Sequence, residues 1–248
     1  VIAWTAGGRL YGWDTVGKAL WPVKAFSGES ITNCVLADVD DNKKWEIIAG
    51  TDKGRIYIWD ALTLEPVPGW EKPQELGEGS VKISLADMDR DGKPEIIGSF
   101  ISMKGGKYAG NGAVHVLKSD GAVFSGWPRE LPTTWSDAPM VIADVDGDNR
   151  PELLCGTRDG AIHLWNSQGE YMEGYPKNIN GKNPLIAGPA LGDADGDEIM
   201  DAVVAYAGSY GNKAFLIKFT GVCEKKALLW PRDTYNNTNN RCLPGSRK

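Results

Sequence analysis

Four stretches of the 248-residue chain place acids at alternate positions, a spacing that can gather oxygen ligands around a cation. They read DVDDNKKWE from Asp38, DMDRDGKPE from Asp87, DVDGDNRPE from Asp144 and DADGDEIMD from Asp193. Their common form is D-x-[DN]-x-[DN]-x-x-x-[DE]. The side chains concerned are Asp38, Asp40, Asn42 and Glu46; Asp87, Asp89, Asp91 and Glu95; Asp144, Asp146, Asp148 and Glu152; and Asp193, Asp195, Asp197 and Asp201. All are carboxylates except Asn42. Such crowded acids repel one another unless a cation sits among them. Oxygen donors without His or Cys select a hard cation, and calcium tolerates a crowded, flexible carboxylate cage better than magnesium does. Up to four calcium ions are therefore expected. On a tight loop the first, third and fifth residues converge, and the ninth closes the site as a strand begins. The seventh can add a backbone carbonyl, from Lys44, Lys93, Arg150 or Ile199. An EF-hand is excluded, because its closing Glu lies further along the loop and helices flank it. Solvated Asp-rich hairpin turns are the alternative, and four copies at one place in a repeat favour the metal. The amide of Asn42 lowers the charge of its loop, which ranks the Asp38 site weakest.

The first aspartates fall at intervals of 49, 57 and 49 residues, so the loops belong to a repeat. Each is followed by an apolar, aromatic-rich run: GRIYIWD, GAVHVLKSDG, GAIHLWNSQG or NKAFLIKFTG. A closing segment comes next: PGW at Pro68, SGWP at Ser125, EGYP at Glu173 or LLWP at Leu228. The N-terminal VIAWTAGGRLYGWD aligns with IIAGTDKGRIYIWD, and Trp21-Pro22 closes that unit. The chain thus enters partway through a unit, and upstream sequence is expected. The units are 1–29, 30–79, 80–136, 137–186 and 187–235, followed by a polar tail at 236–248.

Short runs rich in Val, Ile, Leu and aromatics, separated by glycines and acidic turns, are strand chemistry. Glycine, 31 of 248 residues, is well above its usual share of ~7%, which fits tight turns. Four strands are predicted per unit. Strand A ends at the first acid, B starts at the last, C is the aromatic run and D approaches the closing segment. The expected fold is all-β, a β-propeller of four-stranded antiparallel blades, with four complete blades and a partial N-terminal one. The Asn-rich tail does not resemble a strand A, so the first blade is completed from upstream or stays three-stranded.

These units resemble the FG-GAP or VCBS repeats of integrin-α-like β-propellers, in which a D-x-D-x-D-G-x-x-D loop between strands A and B binds calcium. The resemblance runs from Val1 to about Tyr235, and four of the five units carry the acidic motif. The motif glycine occurs only as Gly92; Lys43, Asn149 and Glu198 stand in its place elsewhere. The family implies an extracellular or cell-surface adhesion or interaction module, and no single activity.

With 27 basic and 33 acidic residues and no basic cluster, nucleic acid is not an expected partner. No apolar run reaches the roughly 20 residues of a membrane helix. His115 and His163 share a strand-C position with Tyr11, Tyr57 and Phe215, which marks a packing slot. No nucleophile elbow or phosphate loop is present, so a non-catalytic module is expected. The alternative is a carbohydrate-binding module, or the propeller part of a polysaccharide-active enzyme such as a lyase. Trp59 and Trp165 occupy one strand-C slot. Trp21, Trp70, Trp127 and Trp230 occupy the closing slot, with Tyr175 as a substitute, and all are expected between blades. Cys34 and Cys155 read as buried thiols, and Cys223 and Cys242 are a possible pair.

The units differ most between the last acid and the strand-C aromatic. That distance is 11 residues in the first and third complete units, 20 in the second and 14 in the fourth. The extra residues, SMKGGKYAGN and AGSYGN, fall in the B–C connection, at the end opposite the acidic loops. Ligand contacts gather on loops carried by a rigid scaffold. Lys104, Lys107, Tyr108, Trp135, Tyr206 and Tyr210 are therefore the candidates for a protein or glycan ligand.

Overall fold

The computed structural model describes residues 1–104, 107–131, 140–179, 188–194, 196–206, 213–222 and 228–230, with the backbone alone for 104, 107–110, 220–222 and 228–230. These residues form antiparallel sheets. The first contains β1 (Ile2–Thr5), β2 (Arg9–Gly12) and β3 (Lys24–Ala25). The second contains β4 (Ile31–Ala37), β5 (Glu46–Thr51), β6 (Arg55–Asp60) and β7 (Gln74–Glu75). The third contains β8 (Gly79–Ala86), β9 (Glu95–Lys104), β10 (Lys107–Leu117) and β11 (Arg129–Leu131). The fourth contains β12 (Val141–Ala143), β13 (Glu152–Gly156), β14 (Ala161–Trp165) and β15 (Lys177–Asn178). The fifth contains β16 (Ala190–Gly192), β17 (Ile199–Tyr206) and β18 (Lys213–Val222). In each sheet neighbours in sequence are neighbours in space.

Alternating side chains send one set of residues to each face of a sheet, and both faces of the inner sheets are covered. That is why β5 and β13 are buried at every position rather than at alternate ones. Leu10 and Trp21 of the first sheet pack with Ile47 and Trp59 of the second. The opposite face of the second, with Ile48 and Ile58, joins Ile83 and Val116 of the third and Ile142 of the fourth. Val141 and Leu154 of the fourth meet Met200 and Val204 of the fifth. The sheets therefore stack face to face in chain order. Their first strands are also tied side by side. Asn33 donates from Nδ2 to the Ile83 carbonyl and accepts at Oδ1 from the Ile83 N–H, both at 2.9 Å.

The closing tryptophans act between sheets. Indole Nε1 donates from Trp21 to the Ala61 carbonyl (3.2 Å), from Trp70 to Ser119 (2.7 Å) and from Trp127 to Ser167 (3.2 Å). Each acceptor lies in the turn after strand C of the following sheet. At Trp70 and Trp127 the preceding glycine serves the same contact. Gly126 has φ +88, and a Cβ there would lie 2.0 Å from the Gln168 carbonyl oxygen. Where Tyr175 replaces tryptophan, the half-buried ring packs against the core shared by the last two sheets.

Three expectations need correction. The closing segment interrupts strand D instead of ending it. Single bridges, Trp59↔Pro66 and Trp165↔Tyr171 among them, precede it, and the two- or three-residue strands β3, β7, β11 and β15 follow. The ring has to leave the ladder to reach the next sheet. Trp230 does not occupy a closing slot. It lies in β19 (Leu228–Trp230), which pairs with β12 through Ile142↔Trp230 and Ala143↔Leu228. The first strand of the fourth sheet has an open edge with unpaired backbone groups, and β19 satisfies them. Finally, the second unit's insertion is a strand extension rather than a loop. β9 and β10 run on as a hairpin to the pair Lys104↔Lys107.

Candidate metal centres

Each acidic loop joins the first strand of a sheet to the second. β4, β8, β12 and β16 stop at Ala37, Ala86, Ala143 and Gly192, one residue before the first aspartate. β5, β9 and β13 begin on the closing glutamate, and Asp201 lies within β17. The fourth and sixth residues of every loop have left-handed backbone. The φ values are 64° and 66° at Asp41 and Lys43, 65° and 89° at Arg90 and Gly92, 84° and 67° at Gly147 and Asn149, and 83° and 62° at Gly196 and Glu198. This double reversal turns the alternate side chains inward. Each non-glycine residue there costs about 1–2 kcal/mol of backbone energy.

Backbone N–H groups hold the carboxylates in place. The sixth residue donates to the first aspartate: Lys43 to Asp38, Gly92 to Asp87 and Asn149 to Asp144 at 2.9 Å, and Glu198 to Asp193 at 3.1 Å. The seventh donates to the fifth: Lys44 to Asn42 (2.7 Å), Lys93 to Asp91 (2.8 Å), Arg150 to Asp148 (2.6 Å) and Ile199 to Asp197 (3.0 Å). The second donates to the closing acid: Val39 to Glu46 (2.9 Å), Met88 to Glu95 (2.7 Å), Val145 to Glu152 (2.8 Å) and Ala194 to Asp201 (3.0 Å).

These bonds leave acceptor oxygens pointing into the loop. One oxygen each of Asp38, Asp40 and Glu46 lie within 4.8 Å of one another, as do those of Asp87, Asp89 and Glu95 and those of Asp144, Asp146 and Glu152. Asp195 of the fourth loop lies outside the described residues. Glu46 and Asp201 are fully buried, yet Glu46 Oε1 and Asp201 Oδ1 have no hydrogen-bond partner, and Asp87 Oδ1 is likewise buried and unpartnered. Burial first, and then the neighbouring aspartates, push Glu46 and Glu95 up to about 7 and Glu152 up to about 8. A buried, unpartnered carboxylate oxygen among other acids fits a hard divalent cation. The side chains singled out in the sequence at the first, third and ninth positions do converge in three loops.

The sequence pattern missed the residue level with the ninth acid on the third strand of each sheet. It is Asp60, Lys118, Asn166 or Lys218, and the cross-strand register places Glu46 opposite Asp60 and Asp201 opposite Lys218. Lys118 Nζ lies 3.8 Å from Asp89 Oδ2, and Lys218 Nζ donates to Asp197 Oδ2 at 2.6 Å. The position three residues after Tyr57, His115, His163 and Phe215 carries the signal, but it becomes meaningful only once the register is known.

At the opposite end, the backbones of Lys104 and Lys107 sit at the tip of the β9–β10 hairpin, with Tyr108 opposite Met103. Trp135 and Tyr210 lie outside the described residues, as do Cys223 and Cys242. Tyr206 is not a surface anchor: it is 4% exposed and stacks on Phe215 at 5.3 Å. Its side chain falls on the face of β17 turned toward the fourth sheet. His163 is buried, stacked on Trp165 at 5.4 Å, and its Nδ1 is 2.8 Å from the Tyr171 hydroxyl. His115 stands edge-on to Phe100. Burial lowers the pKa of both histidines. Cys34 and Cys155 are buried thiols.

Residues 144–204 match the family model for the FG-GAP-like repeat. This stretch is similar to an FG-GAP-like repeat. It runs from the Asp144 loop through the Asp193 loop into β17, and the Asp38 and Asp87 loops repeat its geometry upstream. Among solved structures, the computationally designed Ika8 protein is similar to this chain with a TM-score of 0.50 and 13% identity, over 90% of this chain and 59% of that one. BBS1N in complex with ARL6DN gives 0.48 and 14%, over 90% and 61%. BamB from Moraxella catarrhalis gives 0.38 and 16%, over 88% and 69%. The chain spans about three-fifths of the length of the first two. At such identity the likeness to Ika8 concerns the fold alone. No curated protein matches the sequence.

Proposed function

We propose that the chain is part of a calcium-stabilised β-propeller serving as an extracellular adhesion or interaction module, with no catalysis of its own. The carrying observation is the convergence of three carboxylate oxygens within 4.8 Å in three successive sheets, at loops whose closing acids are buried. Asp38, Asp87, Asp144 and their loop partners would hold the ions. Calcium would supply the positive charge that lets these acids remain ionised while buried.

Propeller closure belongs to the same proposal. Val203 and Leu216, 40% and 45% exposed, pair across β17 and β18. They stand where Leu154 and Leu164 of the fourth sheet face the fifth, so a further blade seated there would continue the stack. The ligand, a protein or a glycan, would engage the end bearing the β9–β10 hairpin, remote from the metals.

Calorimetric titration of chelator-stripped protein tests the metal reading. Calcium should bind at three or four sites, and magnesium at equal concentration should give little heat. No calcium binding at millimolar concentration would refute it.

A further inference from the structure

We propose that the residue facing the closing acid on the third strand sets the calcium affinity of each loop, with Lys118 and Lys218 acting as tethered competing cations. This rests on the calcium reading above and assigns affinity-determining residues to it. The four positions are equivalent by register but differ in charge. Asp60 stands opposite Glu46 and Lys218 opposite Asp201. The pairs Ile96↔Leu117 and Leu153↔Trp165 put Lys118 and Asn166 at the same level in the third and fourth sheets.

The lysines reach the acids that would ligate the ion. Lys218 donates to the Asp197 carboxylate at 2.6 Å, and Lys118 lies 3.8 Å from that of Asp89. An ammonium in that place satisfies part of the loop's negative charge before any ion arrives, and it repels a divalent cation afterwards. In the Asp38 loop the sign is reversed. Asp60 acts on Glu46 as a further negative charge, which compensates for the neutral Asn42. The loops then divide into two classes. The Asp38 and Asp144 loops face an acid and an amide and bind tightly; the Asp87 and Asp193 loops face lysines and bind weakly. This ordering differs from a count of motif acids, which puts the Asp38 loop last. The buried, unpartnered Glu46 Oε1 and Asp201 Oδ1, one in each class, show that both kinds of loop have an acceptor to offer. Both lysines are about half exposed, so salt screens them, and each is expected to change affinity roughly tenfold.

Nitrogen–proton correlation spectra in chelator-buffered calcium resolve the sites. The amides of Lys43, Gly92, Asn149 and Glu198 each donate to the first aspartate of their own loop, and so report its filling. In the parent, the Lys43 and Asn149 signals should respond at lower calcium than those of Gly92 and Glu198. Lys118→Gln should move the Gly92 midpoint to roughly tenfold lower calcium, whereas Lys118→Arg should leave it in place. Asn166→Lys should shift the Asn149 midpoint upward, which guards against a general effect of losing a lysine. Midpoints unmoved by Lys118→Gln and Asn166→Lys, in a protein that binds calcium, would overturn this assignment alone. No response in the parent would overturn the metal reading and this assignment with it.

Discussion

At Glu46, Glu95 and Glu152 burial and neighbouring aspartates favour the protonated acid, at about 7, 7 and 8. In the unfolded chain such glutamates titrate near the ordinary value of 4.5. The folded state thus holds these protons more tightly, and metal-free stability is lost as pH rises from about 4.5 through about 8. Melting of chelated protein should therefore fall across that window. In saturating calcium the decline should vanish, because the ion favours the ionised form. Backbone strain gives a second residue-scale prediction. Glu198, at φ 62°, should gain about 1 kcal/mol on replacement by glycine, while Asn149→Gly should gain less, since asparagine tolerates that region. Chemical denaturation of the two variants checks the order. The sixth-position irregularity was visible in the sequence as a missing motif glycine. The fourth-position turn is marked by Gly147 and Gly196 in two loops, but Arg90 carries no mark of a left-handed conformation.

At the scale of elements, the inter-sheet tie is the testable unit. Trp70→Phe removes the donor to the Ser119 carbonyl at 2.7 Å and should cost about 1 kcal/mol, the usual net worth of a hydrogen bond. Gly126→Ala forces a Cβ to within 2.0 Å of the Gln168 carbonyl and should cost about 3 kcal/mol or more. Gly17 is also left-handed, at φ +84, but has open space around it, so Gly17→Ala should cost only about 1 kcal/mol. Equal losses at Gly126 and Gly17 would show that strain, not the neighbouring sheet, governs these turns. The boundaries of strands A and B were legible because acids at alternate positions break off the apolar pattern between the two strands. The split of strand D was not: periodicity marks apolar runs and gives no sign that a tryptophan leaves its ladder for the next sheet. Nor could it show that Leu228–Trp230 would pair with β12, since that depends on a free edge distant in sequence.

Across the whole molecule, stacked sheets put the acidic loops at one end and the β9–β10 hairpin at the other. Replacing residues 104–110 with a short turn should leave melting and calcium binding unchanged, because shortening the end of the hairpin alters the chain-closure cost little. A fall in both would mean that the two ends are coupled. The stacking order followed from the repeat itself, whereas the charge alternation at Asp60, Lys118, Asn166 and Lys218 needed the cross-strand register. What unites these features is the claim that the loops are incomplete without a cation. Thermal unfolding in excess chelator and in millimolar calcium tests it most directly. Ions bound only by the folded state should each add about 4 kcal/mol at a thousandfold excess over Kd. The melting temperature should therefore rise steeply with calcium, and Asp144→Asn should blunt the rise. Identical melting in chelator and in calcium would contradict the claim.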